Sequence, residues 1–421
     1  MRKTYSPRPD FSIDERRYAL YSPEFAEDPH AAYAALRRQY GSLAPVDLAP
    51  GVPATLVLGH QTALRILNDS EHFPADPRIW QQSVPSGCPI LPMMEWRPNA
   101  LRSSGHEHHR YRTANVNALA TVDLHGMHEV VERIAVPLIN GFCTGAGNSR
   151  YHTMAYADLL AQYIYPLVYG VLDYVLGFDA DTSEQVGAGM AAIFDAAGEA
   201  DRGNAMLAAA LDEHIRRKRG RPGADVTSQL IRSGDLSTEE LIHQLVTLHG
   251  GGSEPQVHLI SNTLLLMMTD RRFAGDLLGG SLSTRDALDE VLFANPPLAN
   301  YCVTYPRQPS LIDGVWLPAH QPVVISMAGC NADPAIQSDH GARFGNRSHL
   351  AWSAGPHQCP ARRLGYQVAQ DAIDYLLDAL PEIHVAVPVE DLVWRPGPFH
   401  RALESLPVVF PKTPPLPQLH Q

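Results

Sequence analysis

A chain of 421 residues, 45% hydrophobic and 19% charged, has the composition of an ordinary globular protein and not of a disordered or fibrous one. Its formal net charge of -12 argues against general nucleic-acid binding, which needs a basic face to neutralise phosphates. Five scattered cysteines make no disulfide framework and point to a reducing cytoplasm, and no apolar run reaches the ~18 residues of a membrane span.

The N-terminal stretch MRKTYSPRPDFSIDERRYAL has no apolar secretory core, so a soluble, cytoplasmic protein is expected. The segment GHEHHRYRTAN (105–115) reads as a helix with His108 and Arg112 one turn apart on one face. Its consecutive histidines cannot all face one ion, which argues against a zinc site. YADLLAQYIYPLVYGVLDYVLGF is interrupted by Asp158, Gln162, Pro166 and Asp173 and reads as buried helices. Amphipathic helices are predicted to begin near Asp158, Thr182, Asp201, Ser237 and Ser283. Ser237 and Glu240 form a capping box, and GRPGAD (220–225) stops the helix that begins near Asp201.

Between Tyr301 and Val324 the pattern changes to short strands, YCVTY, SLIDGVWL and QPVVIS, with turns at Pro306, Pro309 and Pro318. Residues 331–348 are irregular and polar. PKTPPLPQLHQ (411–421) reads as a loose Pro-rich tail behind one domain spanning 1–410. The expected fold class is mainly α with a minor β region.

HLAWSAGPHQCPARRLG (349–365) places Cys359 in a Gly- and Pro-marked loop ahead of an amphipathic helix carrying Leu364, Val368, Ala372, Leu376 and Leu380. Pro360 suits the first helical position, and a helix N-terminus stabilises a thiolate. The residues alone admit a buried structural thiol, a nucleophile with His357 as base, or an axial thiolate to haem iron.

The loop resembles the haem-binding signature of the cytochromes P-450, F-x-x-G-x-H-x-C-x-G-x-x-L-A, with Trp352, Gly355, His357, Cys359, Ala361, Leu364 and Gly365 in its places. Trp, Ala and Gly replace the signature's Phe, second Gly and final Ala. The resemblance continues over residues 20–410: GHEHHRYRTAN is similar to the family's H-x-R-x-R helix, and 311–334 to its β-hairpin and the helix-like stretch after the hairpin. It implies a single triangular, mostly helical haem-thiolate domain binding haem b, with O2 as co-substrate. Cys359 would be the iron ligand, His108, Arg112 and His357 would hold the propionates, and Gly355 and Trp352 would shape the loop.

Three departures stand out. In LVTLHGGGSEPQVHLISNTLLLMM, the family's A-G-x-D/E-T proton relay reads Gly251, Gly252, Ser253, Glu254, Pro255. Glu254 is expected to deliver protons through water, with Ser253 a further hydroxyl and Pro255 a kink opening the helix beside Gly252. The E-x-x-R helix carries Phe293 in place of arginine, so Glu290 is expected to pair with Arg343 or Arg347. The family's propionate-binding arginine falls on Val303. The changes resemble a branch lacking the E-x-x-R arginine, some of whose members join tyrosine to another aromatic in a short peptide.

That resemblance implies an oxidoreductase fed by a ferredoxin and ferredoxin reductase, since the chain has no dinucleotide fingerprint and no iron–sulfur cysteine spacing. An acidic ferredoxin is expected at Arg362 and Arg363, with Arg110 nearby. The substrate pocket is expected between Gln81–Arg102, the region 170–205 and Gly251–Gln256. Aromatic coupling in a short peptide is the preferred reaction. Hydroxylation of a bulky natural product and a non-catalytic haem sensor are the alternatives.

Overall fold

The Ser237 capping box forms, and a second one stands at Ser283. Ser237 accepts the Glu240 N–H, the Glu240 carboxylate accepts the Ser237 N–H, and the helix they start runs over Thr238–Thr269. Ser283 and Asp286 make the same reciprocal pair ahead of Thr284–Ala294. The structure is a computed structural model that describes residues 17–85, 87–145, 153–194, 200–273, 282–336 and 346–417, and of 191, 193–194 and 200–201 the backbone alone.

The long helix is unbroken through Gly250–Gly252 and Pro255, so the expected kink does not interrupt it. One proline costs a helix interior about 3 kcal/mol. Burial of Val257, Leu259, Ile260, Leu264 and Leu265 just beyond it offsets that cost. The helix expected from Asp158 starts later. Met154–Asp158 is a strand, Leu160–Ile164 a π-helical turn, and the α-helix covers Tyr165–Leu176. Pro166 thus falls in its first turn, where a missing N–H is harmless. Helices Ala180–Phe194 and Ala200–Gly220 form as predicted, the second ending where GRPGAD begins.

The β structure is larger than expected. Leu43–Ala49 and Val52–Val57 form a hairpin across Pro50-Gly51, with Leu43 opposite Val57. Val52–Val57 pairs in parallel with Val323–Ser326, and Tyr18–Ala19 and Asn300–Thr304 complete a five-stranded mixed sheet. Ser310–Ile312 and Val315–Leu317 are a hairpin whose Asp313 and Gly314 have φ of 49° and 80°, as a tight two-residue turn requires.

The tail is held as far as Leu416, and residues 418–421 lie outside the described residues. Pro407–Pro411 is a strand between Met154–Asp158 and His384–Val385. Leu416 then donates its N–H to Asn140 Oδ1 at 2.7 Å and accepts from Asn140 Nδ2 at 3.0 Å.

The main apolar core is built by Met127–Phe142, Tyr165–Leu176, the long helix, Thr284–Ala294 and Arg362–Ala379. A second core lies under the five-stranded sheet. Among the described residues no helix is long and apolar enough to cross a membrane.

Candidate active site

The Cys359 loop packs Trp352 against the main core and Leu350 and Ala354 against a third, smaller one, and is wound tightly on itself. Cys359 donates its N–H to the Trp352 carbonyl at 2.9 Å, and Ser353 donates to Leu350 at 2.7 Å. Ser353 and Gly355 hold φ of 60° and 68°. A Cβ at Gly355 would run into the Leu67 carbonyl, so only glycine fits there. The Arg362–Ala379 helix begins after an N-cap at Ala361, which leaves Pro360 ahead of the cap and not at the first helical position. The chain is still turning at Ala361, whose backbone N–H hydrogen-bonds the Cys359 sulfur. Burial raises the Cys359 thiol's pKa, while that N–H and the charges of Arg112 and Arg362 oppose the rise.

Two departures of the loop explain each other. A Cβ at Gly365 would stand 3.2 Å from both the Trp352 ring and Gln256 Oε1. The larger aromatic at 352 therefore occupies the space that glycine at 365 leaves. Gln256 of the long helix donates to the Gly365 carbonyl at 3.0 Å, joining the two helices.

The loop is anchored by residues that the sequence did not single out. Buried Asn331 accepts the Leu350 N–H at 2.8 Å and donates to the Leu292 and Phe293 carbonyls at 3.2 and 3.0 Å. Asp289 accepts from Arg347 at 2.9 Å and from the Tyr366 hydroxyl. Arg347 thus serves Asp289 and not Glu290, whose cation is Arg272 at 3.6 Å. Arg343 lies outside the described residues. Glu290 is on the partly open side of its helix, where a residue before the helix reaches it, so the lost arginine leaves no bare charge.

His108 and Arg112 share the helix Gly105–Leu119, and His108 meets His357 from the loop with ring centroids 4.1 Å apart. Nε2 of each ring is buried and has no hydrogen-bond partner among the described residues. Burial and the neighbouring charges, Arg112 among them, press His108 down to about 4 and His357 to about 3. Arg112 makes no ion pair or hydrogen bond among the described residues. Donors without acceptors, gathered beside the partly buried Cys359 thiol, suit an anionic cofactor edge. The residues fit a haem with its propionates at these side chains.

Val303 belongs to the core under the sheet. The neighbouring Cys302, with φ 52°, instead hydrogen-bonds Ser353 and feels the charge of Cys359. Arg110 is also spoken for. It pairs with Glu240 and donates to the Asp235 carbonyl at 2.7 Å, so it adds no free charge to a basic patch. Trp80 packs on Tyr305 at 5.6 Å, and Cys88, Ile90 and Met94 sit in the sheet-side core. Cys88, Ile90 and Met94 of Gln81–Arg102 therefore belong to the protein's interior, while most of the segment's other described residues are half-buried or exposed. Of the region 170–205, residues 195–199 lie outside the described residues.

On the long helix, Glu254 is fully engaged. Tyr165 donates to Oε1 at 3.1 Å, His258 Nε2 lies 3.1 Å from Oε2, and Arg395 donates to Oε2 at 3.2 Å. Burial alone would raise this carboxyl, but His258, Arg395 and Tyr165 outweigh it and bring it to about 2. Ser253 is buried, its hydroxyl 3.4 Å from the Gly250 carbonyl of its own helix. A Cβ at Gly252 would meet Leu172 at 2.8 Å, whereas one at Gly251 would meet nothing within 4 Å.

No protein-family model matches the chain. It is 26% identical over 402 residues to 2-hydroxy-5-methyl-1-naphthoate 7-hydroxylase of Streptomyces carzinostaticus, covering 92% of this chain and 96% of that one. It is 27% identical over 396 residues to the cytochrome P-450 monooxygenase PikC of Streptomyces venezuelae, covering 91% and 92%. CYP154C4 from Streptomyces sp. W2061 superposes with a TM-score of 0.82 at 26% identity, over 94% of this chain and 98% of that structure. The chain is a cytochrome P-450. This cytochrome P-450 is a monooxygenase-class enzyme that uses haem b with O2 as co-substrate. Bacterial enzymes of the kind generally take electrons from a ferredoxin and its reductase.

Proposed function

We propose that Cys359 is the axial thiolate of the haem iron, that His108, Arg112 and His357 hold its propionates, and that the substrate is a secondary metabolite, preferentially a short peptide whose aromatic side chains are joined oxidatively. When bound, the haem supplies O2 activation and hydrogen-atom abstraction from the substrate. Gly355 and Trp352 fix the loop that presents the sulfur, and the Ala361 N–H supports its charge.

One observation carries the choice of reaction: Pro255 has no hydroxyl where the family's relay alcohol stands, and Glu254 beside it is held as a carboxylate by three partners. A carboxyl near 2 stores no proton at neutral pH. Its part is to accept a proton and pass it on, with His258 and Tyr165 as neighbours. A phenol or indole at the iron brings its own O–H or N–H and relieves that shortage. In coupling, each of two aromatic groups loses one hydrogen atom, one carbon–carbon or carbon–oxygen bond forms, and O2 with two further electrons and two protons leaves as two waters.

Conventional hydroxylation is the second reading, favoured by the hydroxylase among the relatives. Reconstitution with a ferredoxin, its reductase and an aromatic peptide separates them. A product lighter by two hydrogens supports coupling, whereas a gain of one oxygen from O2 sinks it in favour of hydroxylation. A thiolate-type red-shifted carbonyl spectrum with no turnover on any substrate would point instead to a haem sensor. Arg362 and the exposed Arg363, at the start of the helix behind the sulfur, are the proposed landing place of the ferredoxin.

A further inference from the structure

Arg102 is a buried cation with no acid among the described residues. Only 4% exposed, it donates through Nη2 to the Tyr301 hydroxyl at 2.7 Å and to the Met93 carbonyl, and its guanidinium lies 5.5 Å from the Tyr301 ring centre. Nε and Nη1 have no acceptor among the described residues. Arg112, partly buried, likewise lacks an ion-pair partner there, so one buried and one half-buried guanidinium stand without a carboxylate. Burying such charges is costly unless an anion meets them.

The loop holding Arg102 is preformed. Asn99 Oδ1 accepts the N–H groups of Leu101 and Arg102 at 3.0 and 2.9 Å, and Ser103 donates to the Asn99 carbonyl at 2.6 Å. The same loop abuts the Cys359 loop, because the His357 ring hydrogen-bonds the Ala100 backbone. Arg102 also acts electrostatically on His357, Cys302 and Tyr305. It therefore stands beside Asn300–Thr304, the strand on which Val303 leaves the family's propionate arginine missing.

We propose that Arg102 is a haem-propionate ligand that supplies, from the loop ahead of the Gly105–Leu119 helix, the guanidinium absent from the neighbouring strand. With Arg112 it gives two cations for two carboxylates, and the orphaned Nε2 atoms of His108 and His357 complete the donor set. The inference rests on the haem seat proposed above. A bidentate guanidinium–carboxylate pair is stronger than a neutral hydrogen bond and demands a planar fork that lysine lacks.

The test is haem retention, read as the rate of haem transfer from holoenzyme to apomyoglobin. Arg102→Met should lose haem roughly tenfold faster or more, as expected for a charge-assisted bond, and Arg102→Lys should recover part of the loss. The apoprotein of Arg102→Met should be no less stable than wild type, since an uncompensated charge has gone. Reconstitution with haem dimethyl ester should abolish the difference between variant and wild type. Equal haem loss from Arg102→Met and wild type would overturn the proposal. So would a difference that persists with the ester, which would assign Arg102 to a substrate carboxylate or to packing. Failure of the thiolate reading shows separately, as a wild-type carbonyl spectrum of the histidine type.

Discussion

The two faces of the proposed haem seat are built on opposite principles. On the cysteine face the backbone is over-determined: two left-handed residues, a glycine pressed on the Leu67 carbonyl, and Asn331 stitching the loop to the preceding helix. On the oxygen face the long helix carries three successive glycines and a proline, and its acid is restrained by side chains alone. Rigidity is placed where one atom must be held for every turnover, and side-chain adjustability where protons must move. Substitutions on the first face should therefore act on stability and cofactor retention, and those on the second on how electrons are partitioned between product and waste.

The largest expected effect is Cys359→Ser, which should abolish turnover and the thiolate-type carbonyl spectrum. Retention of both would break the contrast at its root. Next are two variants that leave the sulfur untouched. Gly355→Ala should destabilise the holoenzyme by about 2 kcal/mol or more, from the left-handed backbone and the clash with Leu67. Asn331→Ala should cost about 3 kcal/mol by leaving buried backbone groups without partners. Denaturant midpoints measure both, and an unchanged midpoint for Gly355→Ala would show that the loop is not tightly determined.

Much of this face is legible in the sequence, because Cys359, His357 and Gly355 sit at fixed spacings in one contiguous loop. His108 and Arg112 are legible because a helix brings residues four apart onto one face. Asn331, Asp289 and Arg102 are not. Each acts through partners far along the chain, Asn331 on Leu350 and Phe293 and Arg102 on Tyr301, and no local pattern marks such pairs. The hairpin Leu43–Val57 is hidden differently: Pro45, Pro50 and Pro53 read as breakers, yet two of them lie within paired strands. The occupied state of Glu254 is likewise a tertiary fact, since Tyr165 and Arg395 come from segments on either side of the long helix in sequence.

On the oxygen face, Glu254→Gln should lower productive turnover by about 10²-fold while haem retention stays unchanged. It should also alter acid stability. The folded carboxyl titrates near 2, against an ordinary 4.5, so the unfolded chain binds more protons between those values. The stabilisation is present above about 4.5 and is lost as pH falls toward 2. Melting temperatures of wild type and Glu254→Gln over that range should therefore converge on acidification, and parallel curves would show that Glu254 is not held by its three partners. Pro255→Thr returns a backbone N–H and a hydroxyl. It should stabilise the protein by about 1–3 kcal/mol and shift product toward oxygen insertion, read as the ratio of hydroxylated to coupled peptide.

The smallest effect tests whether the cysteine face also serves the outside. Arg363 is exposed and Arg362 partly so, and neither is engaged in an ion pair among the described residues, unlike Arg110 with its Glu240. Exposed charges of this sort steer an acidic partner and add little to stability. Arg362→Gln with Arg363→Gln should raise the KM for ferredoxin several-fold at low salt, with kcat at saturating ferredoxin and the haem spectrum unchanged. Because charges are screened beyond about 10 Å at 0.1 M salt, the difference should shrink as salt is added. A salt-independent loss would mean that the two arginines shape the Cys359 loop itself, and the docking surface would then have to lie elsewhere on this acidic protein.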